Sequence, residues 1–295
     1  MSRARGVSGG RIVVVGDVMT DVVASLSGPV ARGSDTPARV VRRGGGAGAN
    51  VAVWLARAGA AVTLIGRVGD DAAGREAAGG LRAEGVDARL AIDPARPTGT
   101  CVVLVEPGGE RSMLPDAGAN AGLDAVALPE DSAHLHLAGY ALLHPGSRPA
   151  ARALLAAAHD SGLSVSVDPS SAAPLQRTGA AAFLEWVGGA DLLLPNREEA
   201  AVLTGMRDPK GAARALSAHA REVVVKLGAH GALWSDGQSQ LRAPAVDVLV
   251  TDTTGAGDAF AAGLLAARLA GADPADALGA GCALAAEAVA RDGGR

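Results

Sequence analysis

The sequence predicts an α/β protein with a mainly parallel central sheet flanked by helices in three layers, and three observations carry that expectation. Short β-branched apolar runs alternate with Ala- and Leu-rich stretches of helical length, the pattern of βαβ units. Gly59, Gly162 and Gly271 stand just past the ends of three helical stretches, where a left-handed residue commonly closes a helix. The chain has 295 residues, 48% hydrophobic and 20% charged, which is enough to bury a large core.

In chain order, the β-branched run Ile12–Val15 is the first strand, and the Ala- and Val-rich stretch Ala47–Ala58, closed by Gly59, is the first helix. Strands follow at Val62–Ile65 and His134–Leu137, then a helix over Arg148–His159, closed by Gly162. Ser164–Val167 is a strand, Ala180–Val187 a helix, Leu192–Leu194 a strand, and Arg197–Leu203 and Pro209–His219 are helices. Glu222–Lys226 is the last strand of the series, and two longer apolar helices follow over Ala256–Leu269 and Pro274–Ala290. Residues 22–43 and 98–115 break this rhythm. They are rich in Val, Thr, Gly and Pro, alternate in character, and include a Pro107-Gly108-Gly109-Glu110 turn. Because both segments leave the α/β body and return, they are expected to form a small β lid over a cleft within one domain spanning residues 1–295. No internal repeat interrupts that unit.

Composition excludes several functions. Two Phe, three Trp and one Tyr leave little material for stacking on nucleic-acid bases. A formal charge of −4, without a long basic run, lacks the footprint of a nucleic-acid or anionic-membrane binder. Cys101 and Cys282 stand far apart, so neither a disulfide framework nor a thiolate zinc site is expected, in keeping with a cytoplasmic protein. No run approaches the roughly 18 apolar residues of a membrane span, and the apolar stretch after the basic start is too short for a signal peptide. His134 and His136 share a strand face but have no third ligand nearby, so they read as core histidines, and Trp54 reads as a packing residue.

The sharpest chemical signal is Asp252-Thr253-Thr254-Gly255-Ala256-Gly257-Asp258, which opens an apolar helix. Backbone N–H groups of Gly255, Ala256 and Gly257 at that helix start would attract anionic oxygens, and the glycines admit a phosphate close to the main chain. Asp258, in the first turn, would place a carboxylate base beside that cradle, as phosphoryl transfer to an alcohol requires. On its own the string also fits an ordinary capped helix. A second glycine run, Gly44-Gly45-Gly46-Ala47-Gly48-Ala49-Asn50, opens the first helix. It is a poor dinucleotide fingerprint, because it follows Arg42 and Arg43 rather than a buried strand, and no GxxxxGK[ST] loop occurs. It would let a polyhydroxyl ligand approach backbone amides, with Asn50 offering both a donor and an acceptor.

With these two motifs in this order, about 200 residues apart, the chain resembles the ribokinase, or PfkB, family of carbohydrate kinases. The resemblance implies a ribokinase-like fold and extends along nearly the whole chain. Gly16-Asp17-Val18-Met19-Thr20-Asp21 is similar to the family's substrate-binding turn, in which Asp21 would bind sugar hydroxyls beside Gly44, Gly45, Gly46 and Asn50. Asp116-Ala117-Gly118-Ala119-Asn120 and Asp168-Pro169 resemble two further family segments. Asn196 and Glu199 occupy the NxxE positions and would organise hydrated Mg²⁺ around ATP, although Asn196 with acidic neighbours is also a common helix start. Lys226, Gly228 and Gly231 match a turn bordering the ATP site, with Thr254 at the phosphate loop. Asp252 and Thr254 fit the family's monovalent-cation site, while the chain stops at Arg295 without the Ser-bearing tail of many members, which leaves K⁺ open.

The resemblance implies an ATP-dependent kinase acting on a small sugar, with Asp258 as base and Tyr140 within reach of the ligand. Two rivals share the fold. A nucleoside kinase would need a base pocket, which few aromatics can build. A sugar-phosphate kinase would need cationic groups, for which Arg42, Arg43 and Arg111 are candidates. A third alternative, a non-catalytic sugar or nucleotide sensor, would have no use for Asp258. Exposed lid edges also suggest a homodimer.

Overall fold

The structure is a computed structural model and describes residues 10–124, 126–291 and 293–295. Along the chain, β1 (Arg11–Val15), β2 (Met19–Leu26) and β3 (Ala38–Gly45) lead into α1 (Ala47–Arg57), β4 (Val62–Gly69), α2 (Ala72–Ala83) and β5 (Asp87–Asp93). Then come β6 (Gly99–Val105), β7 (Arg111–Asp116), β8 (Ser132–Ala138), α3 (Tyr140–Leu143), α4 (Arg148–Asp160), β9 (Ser164–Asp168), α5 (Ala172–Thr178) and α6 (Ala180–Trp186). The chain finishes with β10 (Ala190–Leu193), α7 (Arg197–Thr204), α8 (Pro209–Leu216), β11 (Ala220–Lys226), β12 (Ala232–Ser235), β13 (Gln240–Ala243), α9 (Ala256–Leu269) and α10 (Pro274–Val289).

The main sheet has the order β13-β12-β11-β10-β9-β8-β1-β4-β5. Pairings from β11 to β5 are parallel, and β12 and β13 extend one edge antiparallel. Parallel strands are covered on both faces and so carry unbroken apolar runs. In β1, Ile12 and Val14 face a layer containing Trp54, Phe260 and Leu264, while Val13 and Val15 face another containing Leu154, Phe183 and Leu203. Three layers result, as expected. Gly59, Gly162 and Gly271 all have positive φ, between 70° and 91°. No helix among the described residues is long and apolar enough to cross a membrane.

A second sheet, ordered β3-β2-β6-β7, is built from the two segments that broke the α/β rhythm, and Glu106 to Glu110 closes its β6–β7 hairpin. It extends further than expected. The strands begin at Met19 and run to Gly45, because the antiparallel pairing Met19↔Gly45 and Thr20↔Gly44 continues to the start of α1. Gly44 and Gly45 are therefore strand residues. Missing from the expected elements were α2, α3, α5, β5, β12 and β13. The buried stripe of α2 is Gly74, Ala77 and Leu81, so small residues carry its helical period and hide it. The strands β12 and β13 have four residues each, too few to show a period.

The start of α1 presses on the turn after β1. A Cβ on Gly48 would stand 2.6 Å from the Gly16 Cα, so two backbones meet here without side chains between them. Gly48→Ala is expected to destabilise the protein by about 1–3 kcal/mol through overpacking. By contrast, Gly79 in α2 has open space around its Cβ position, and Gly79→Ala should stabilise by about 0.5–1 kcal/mol. Opposite shifts of the two urea midpoints are the check.

Candidate active site

Carboxyl ends of parallel strands are where open α/β sheets form their crevices. Here the ends of β1, β9 and β11 supply Asp17, Asp168 and Lys226, and the starts of α1, α7 and α9 converge on the same end. Asp168, Asn196, Glu199, Lys226, Gly257 and Asp258 line one cavity of about 380 Å³.

Asp258 lies in the first turn of α9, where the cap residue Gly255 has φ 73°. No side chain fits at Gly255, since its Cβ would stand 2.4 Å from the Gly294 carbonyl oxygen. The amide set differs from expectation in one member: Ala256 N–H donates to the Thr253 carbonyl at 3.3 Å. Among the described residues the N–H groups of Gly255, Gly257 and Asp258 have no acceptor and remain available to an anion. Burial pushes the Asp258 carboxyl up to about 7, the Asn50 hydrogen bond opposes that rise, Asp168 adds to it, and Lys226 opposes it.

On the acceptor side, the Asn50 Nδ2 donates to Asp258 Oδ2 at 2.8 Å, while the Asn50 Oδ1 is buried without a partner. An orphaned buried acceptor beside a base suits a ligand hydroxyl. Asp21 is buried against Gly45, whose Cβ would lie 2.3 Å from its carboxylate, and burial together with Asp17 raises it to about 6. Gly44 instead faces Arg295, whose guanidinium would meet a Cβ there at 2.0 Å. Gly46 has φ 96° and packs on the Asp17 carbonyl. Asp21, Gly45 and Asn50 are thus brought to one region, and Gly44 turns away from it.

Asn196 caps α7 in a reciprocal box: Glu199 N–H donates to Asn196 Oδ1 at 2.8 Å, and the Asn196 N–H and Nδ2 donate to the two Glu199 oxygens at 2.8 and 2.7 Å. The helix-start reading of this motif is borne out, and the same two residues line the cavity. Glu199 is pushed up to about 7 by burial and by Asp168, against the pull of Lys226. The Lys226 ammonium is ion-paired with Asp168 and would stand 3.5 Å from a Cβ at Gly257. Burial lowers its pKa, but Asp168 and Glu199 outweigh burial and hold it charged. Gly228 reaches the cavity, whereas Gly231 packs on the Ala243 carbonyl in a tight turn away from it. Two buried carboxylates, Asp168 and Glu199, and the half-buried Asp258 around one lysine fit hydrated magnesium, held through water and nucleotide phosphates rather than by a direct protein cage.

Asp252 departs from the expected open cation ligand. Its Oδ1 accepts from Thr254 N–H at 2.7 Å and pairs with Arg111 Nη1 at 2.6 Å, while Oδ2 accepts from Gly293 N–H at 3.1 Å and faces Arg43 Nη1 at 3.8 Å. Burial opposes ionisation, but the Thr254 hydrogen bonds and the Arg111 charge hold the carboxyl below its usual range. Both carboxylate oxygens already serve donors, and the Arg111 guanidinium neutralises the charge that would attract an added cation. A further cation about 4 Å from either guanidinium would meet a repulsion of about 4 kcal/mol at an effective dielectric constant of 20. The donor set does not fit potassium.

Other residues named from the sequence take structural roles around the site. Asp17 accepts from the N–H groups of Ala47 and Gly48 and so anchors the start of α1. Asn120 clamps Val18 by donating to its carbonyl and accepting from its N–H, which explains the Gly118-Ala119-Asn120 segment. Arg111 bridges the small sheet to the loop before α9, a pairing across 141 positions that no local spacing reveals. Tyr140 borders the site, and burial drives its hydroxyl up, with Asp17 and Asp258 adding to the rise. Trp54 is a core residue whose Nε1 donates to the Gly294 carbonyl at 3.0 Å. His134 and His136 are buried core residues bonded to Ser164 and Ser166.

A three-layer α/β body, a second small sheet and a glycine-capped helix start at the crevice define a ribokinase-like kinase. Residues 10–295 match the model of the pfkB family of carbohydrate kinases. An ATP-dependent ribose-1-phosphate kinase of Halopiger xanaduensis is 33% identical over 293 residues, covering 97% of this chain and 94% of that protein. An adenosine kinase from Sinorhizobium meliloti superposes with a TM-score of 0.88 at 25% identity, over 98% of this chain and 96% of that one. A fructokinase double mutant from Vibrio cholerae O395, solved with fructose, ADP and potassium ion bound, gives 0.82 at 29% identity over 98% and 95%. This chain belongs to the pfkB family and is a carbohydrate kinase.

The raised pKa of Asp258 has a consequence for stability. The folded state favours the neutral carboxyl, so stabilisation is complete below the ordinary carboxylate range and is lost as pH rises through about 7. Asp258→Asn removes that loss. Its thermal midpoint should exceed that of the unsubstituted protein by a margin that grows as pH rises from the ordinary carboxylate range to about 7 and is level above it; a pH-independent margin would contradict the burial of an ionisable carboxyl.

Proposed function

We propose that this carbohydrate kinase transfers the γ-phosphoryl group of ATP to a hydroxyl of a small sugar, with Asp258 as the general base. The observation that carries the proposal is the Asn50–Asp258 pair at the start of α9: a base whose carboxyl is raised to about 7 stands beside unfilled amide donors and an orphaned amide oxygen. Asn50 Oδ1 accepts from one sugar hydroxyl and Asp21 from others, orienting the attacking oxygen. Asp258 takes the proton as that oxygen moves onto phosphorus. The Gly255, Gly257 and Asp258 amides and the Lys226 ammonium stabilise charge on the transferring group. Glu199 and Asn196 would hold hydrated magnesium, which would neutralise phosphate charge when bound. The small sheet acts as the lid of a single domain, and its closure excludes water that would otherwise be phosphorylated in place of the sugar.

A second reading, in which the acceptor already bears a phosphate, is favoured by Arg295. Its Nη1 is buried without a partner in a cavity of about 410 Å³ that Arg42 and Arg43 also line, and the Halopiger relative acts on ribose 1-phosphate. Turnover of sugar 1-phosphates with Arg295→Ala raising only their KM supports this reading; turnover of free sugars alone refutes it.

Asp258→Asn should keep the fold and lower kcat by about 10²–10⁴-fold, and near-normal turnover in an ADP-release assay would overturn the assignment of the base. Lys226→Met is expected to weaken ATP binding and to lower kcat, measured as separate effects on KM and kcat. In the unsubstituted enzyme, kcat/KM should rise with pH through about 7 as Asp258 ionises.

A further inference from the structure

The loop that feeds the anion site is organised around Asp252, and Asp252 is organised by a residue from the other sheet. Arg111, at the start of β7, reaches across with one Nη1 to the Asp252 carboxylate at 2.6 Å, the Thr254 hydroxyl at 2.6 Å and the Thr253 hydroxyl at 3.3 Å. Arg43, on β3 of the same sheet, approaches the second carboxylate oxygen, and the Gly293 amide bonds to it. Each Asp252 oxygen therefore meets a guanidinium and a backbone N–H. A fructokinase with this fold holds a potassium ion, yet the oxygens that would receive such an ion here already serve donors.

We propose that the Arg111 guanidinium replaces a monovalent cation at the anion-site loop, so that this kinase needs no potassium and its phosphate cradle forms only when the small sheet is seated. The inference rests on the kinase function argued above. Arg111 is a positioning residue: it does not touch the transferring group but neutralises Asp252 and pins Thr253 and Thr254, the two residues before the Gly255 cap. A dissolved ion could settle on Asp252 with the small sheet open. A guanidinium carried on β7 cannot, so cradle order and lid position become one event. Asp252 is held below the usual carboxylate range by its Thr254 hydrogen bonds and by the Arg111 charge.

The test compares the whole protein and its R111M and R111K variants in potassium, sodium and tetramethylammonium chloride at equal ionic strength, reading thermal midpoint as well as turnover. The unsubstituted protein should show the same midpoint and turnover within about twofold in all three salts. R111M uncovers Asp252, and should lose about tenfold or more in kcat in tetramethylammonium. It should regain part of that loss with potassium or methylguanidinium and gain a potassium-specific rise in midpoint. R111K, which keeps a charge without the fork, should fall between them. A potassium-specific rise in midpoint or turnover of the unsubstituted protein overturns the proposal. So does an R111M protein indifferent to potassium in both readouts. If R111M does not fold, the unsubstituted protein and R111K decide by the same criteria. The midpoint requires no turnover, so failure of the sugar-kinase function and failure of this proposal remain distinguishable.

Discussion

The hydrogen bond between Asn50 and Asp258 joins the starts of two helices 208 positions apart in the chain, and the rest of the site is arranged around it. Asn50 can reach only because α1 begins directly against the β1–β2 turn, where Gly16 and Gly48 let backbones touch. Asp258 can stand opposite only because Gly255 adopts a left-handed conformation that turns the chain into α9. Removing an acidic group from water normally forces it to neutralise. One hydrogen bond from Asn50 and one nearby ammonium, Lys226, moderate that cost and leave the carboxyl poised near neutrality. Burial thus makes this carboxylate a stronger proton acceptor than an exposed one.

Charge is distributed in two clusters on either side of this bond. On the nucleotide side, Asp168, Glu199 and Asp258 surround Lys226, so the region is acidic unless a cation or protonation compensates. On the acceptor side, Arg43, Arg111 and Arg295 offset Asp21 and Asp252. Formal charge of the whole chain, −4, says nothing of this division. Under the proposed function, recognition rests on local amides, carboxylates and a few arginines, as a chain with so few aromatic side chains requires.

Much of the fold was legible because parallel strands buried on both faces must be apolar throughout, as Ile12–Val15 and Val223–Val225 are. Helix α2 was not, since Gly74 and Ala77 bury backbone and methyl groups that composition does not register as hydrophobic. The site divides in the same way. Gly255, Gly257 and Asp258 lie in one contiguous stretch at the start of α9, so the sequence placed them at one helix start, as the structure shows. The Arg111–Asp252 pair is not contiguous, and Asp252 was accordingly expected to meet an ion rather than a side chain. At Gly231 the structure supplies a packing reason for the glycine, since a Cβ would lie 2.0 Å from the Ala243 carbonyl and φ is 83°.

The contact between α9 and α10 sets how the site fluctuates. A Cβ on Gly263 would lie 2.7 Å from the Ala280 carbonyl, and one on Gly281 would lie 2.8 Å from the Phe260 ring, so these helices touch almost backbone to backbone. Such a joint opens only with the main core, whereas the small sheet carries exposed Val40, Met113 and Leu114 and has little beneath it to lose. Amide exchange would therefore separate the two walls of the active site into different cooperative units: the base and cradle would exchange only on global unfolding, and the covering strands by frequent local opening. Ligand occupancy would be written almost wholly in the slower exchange of the second unit.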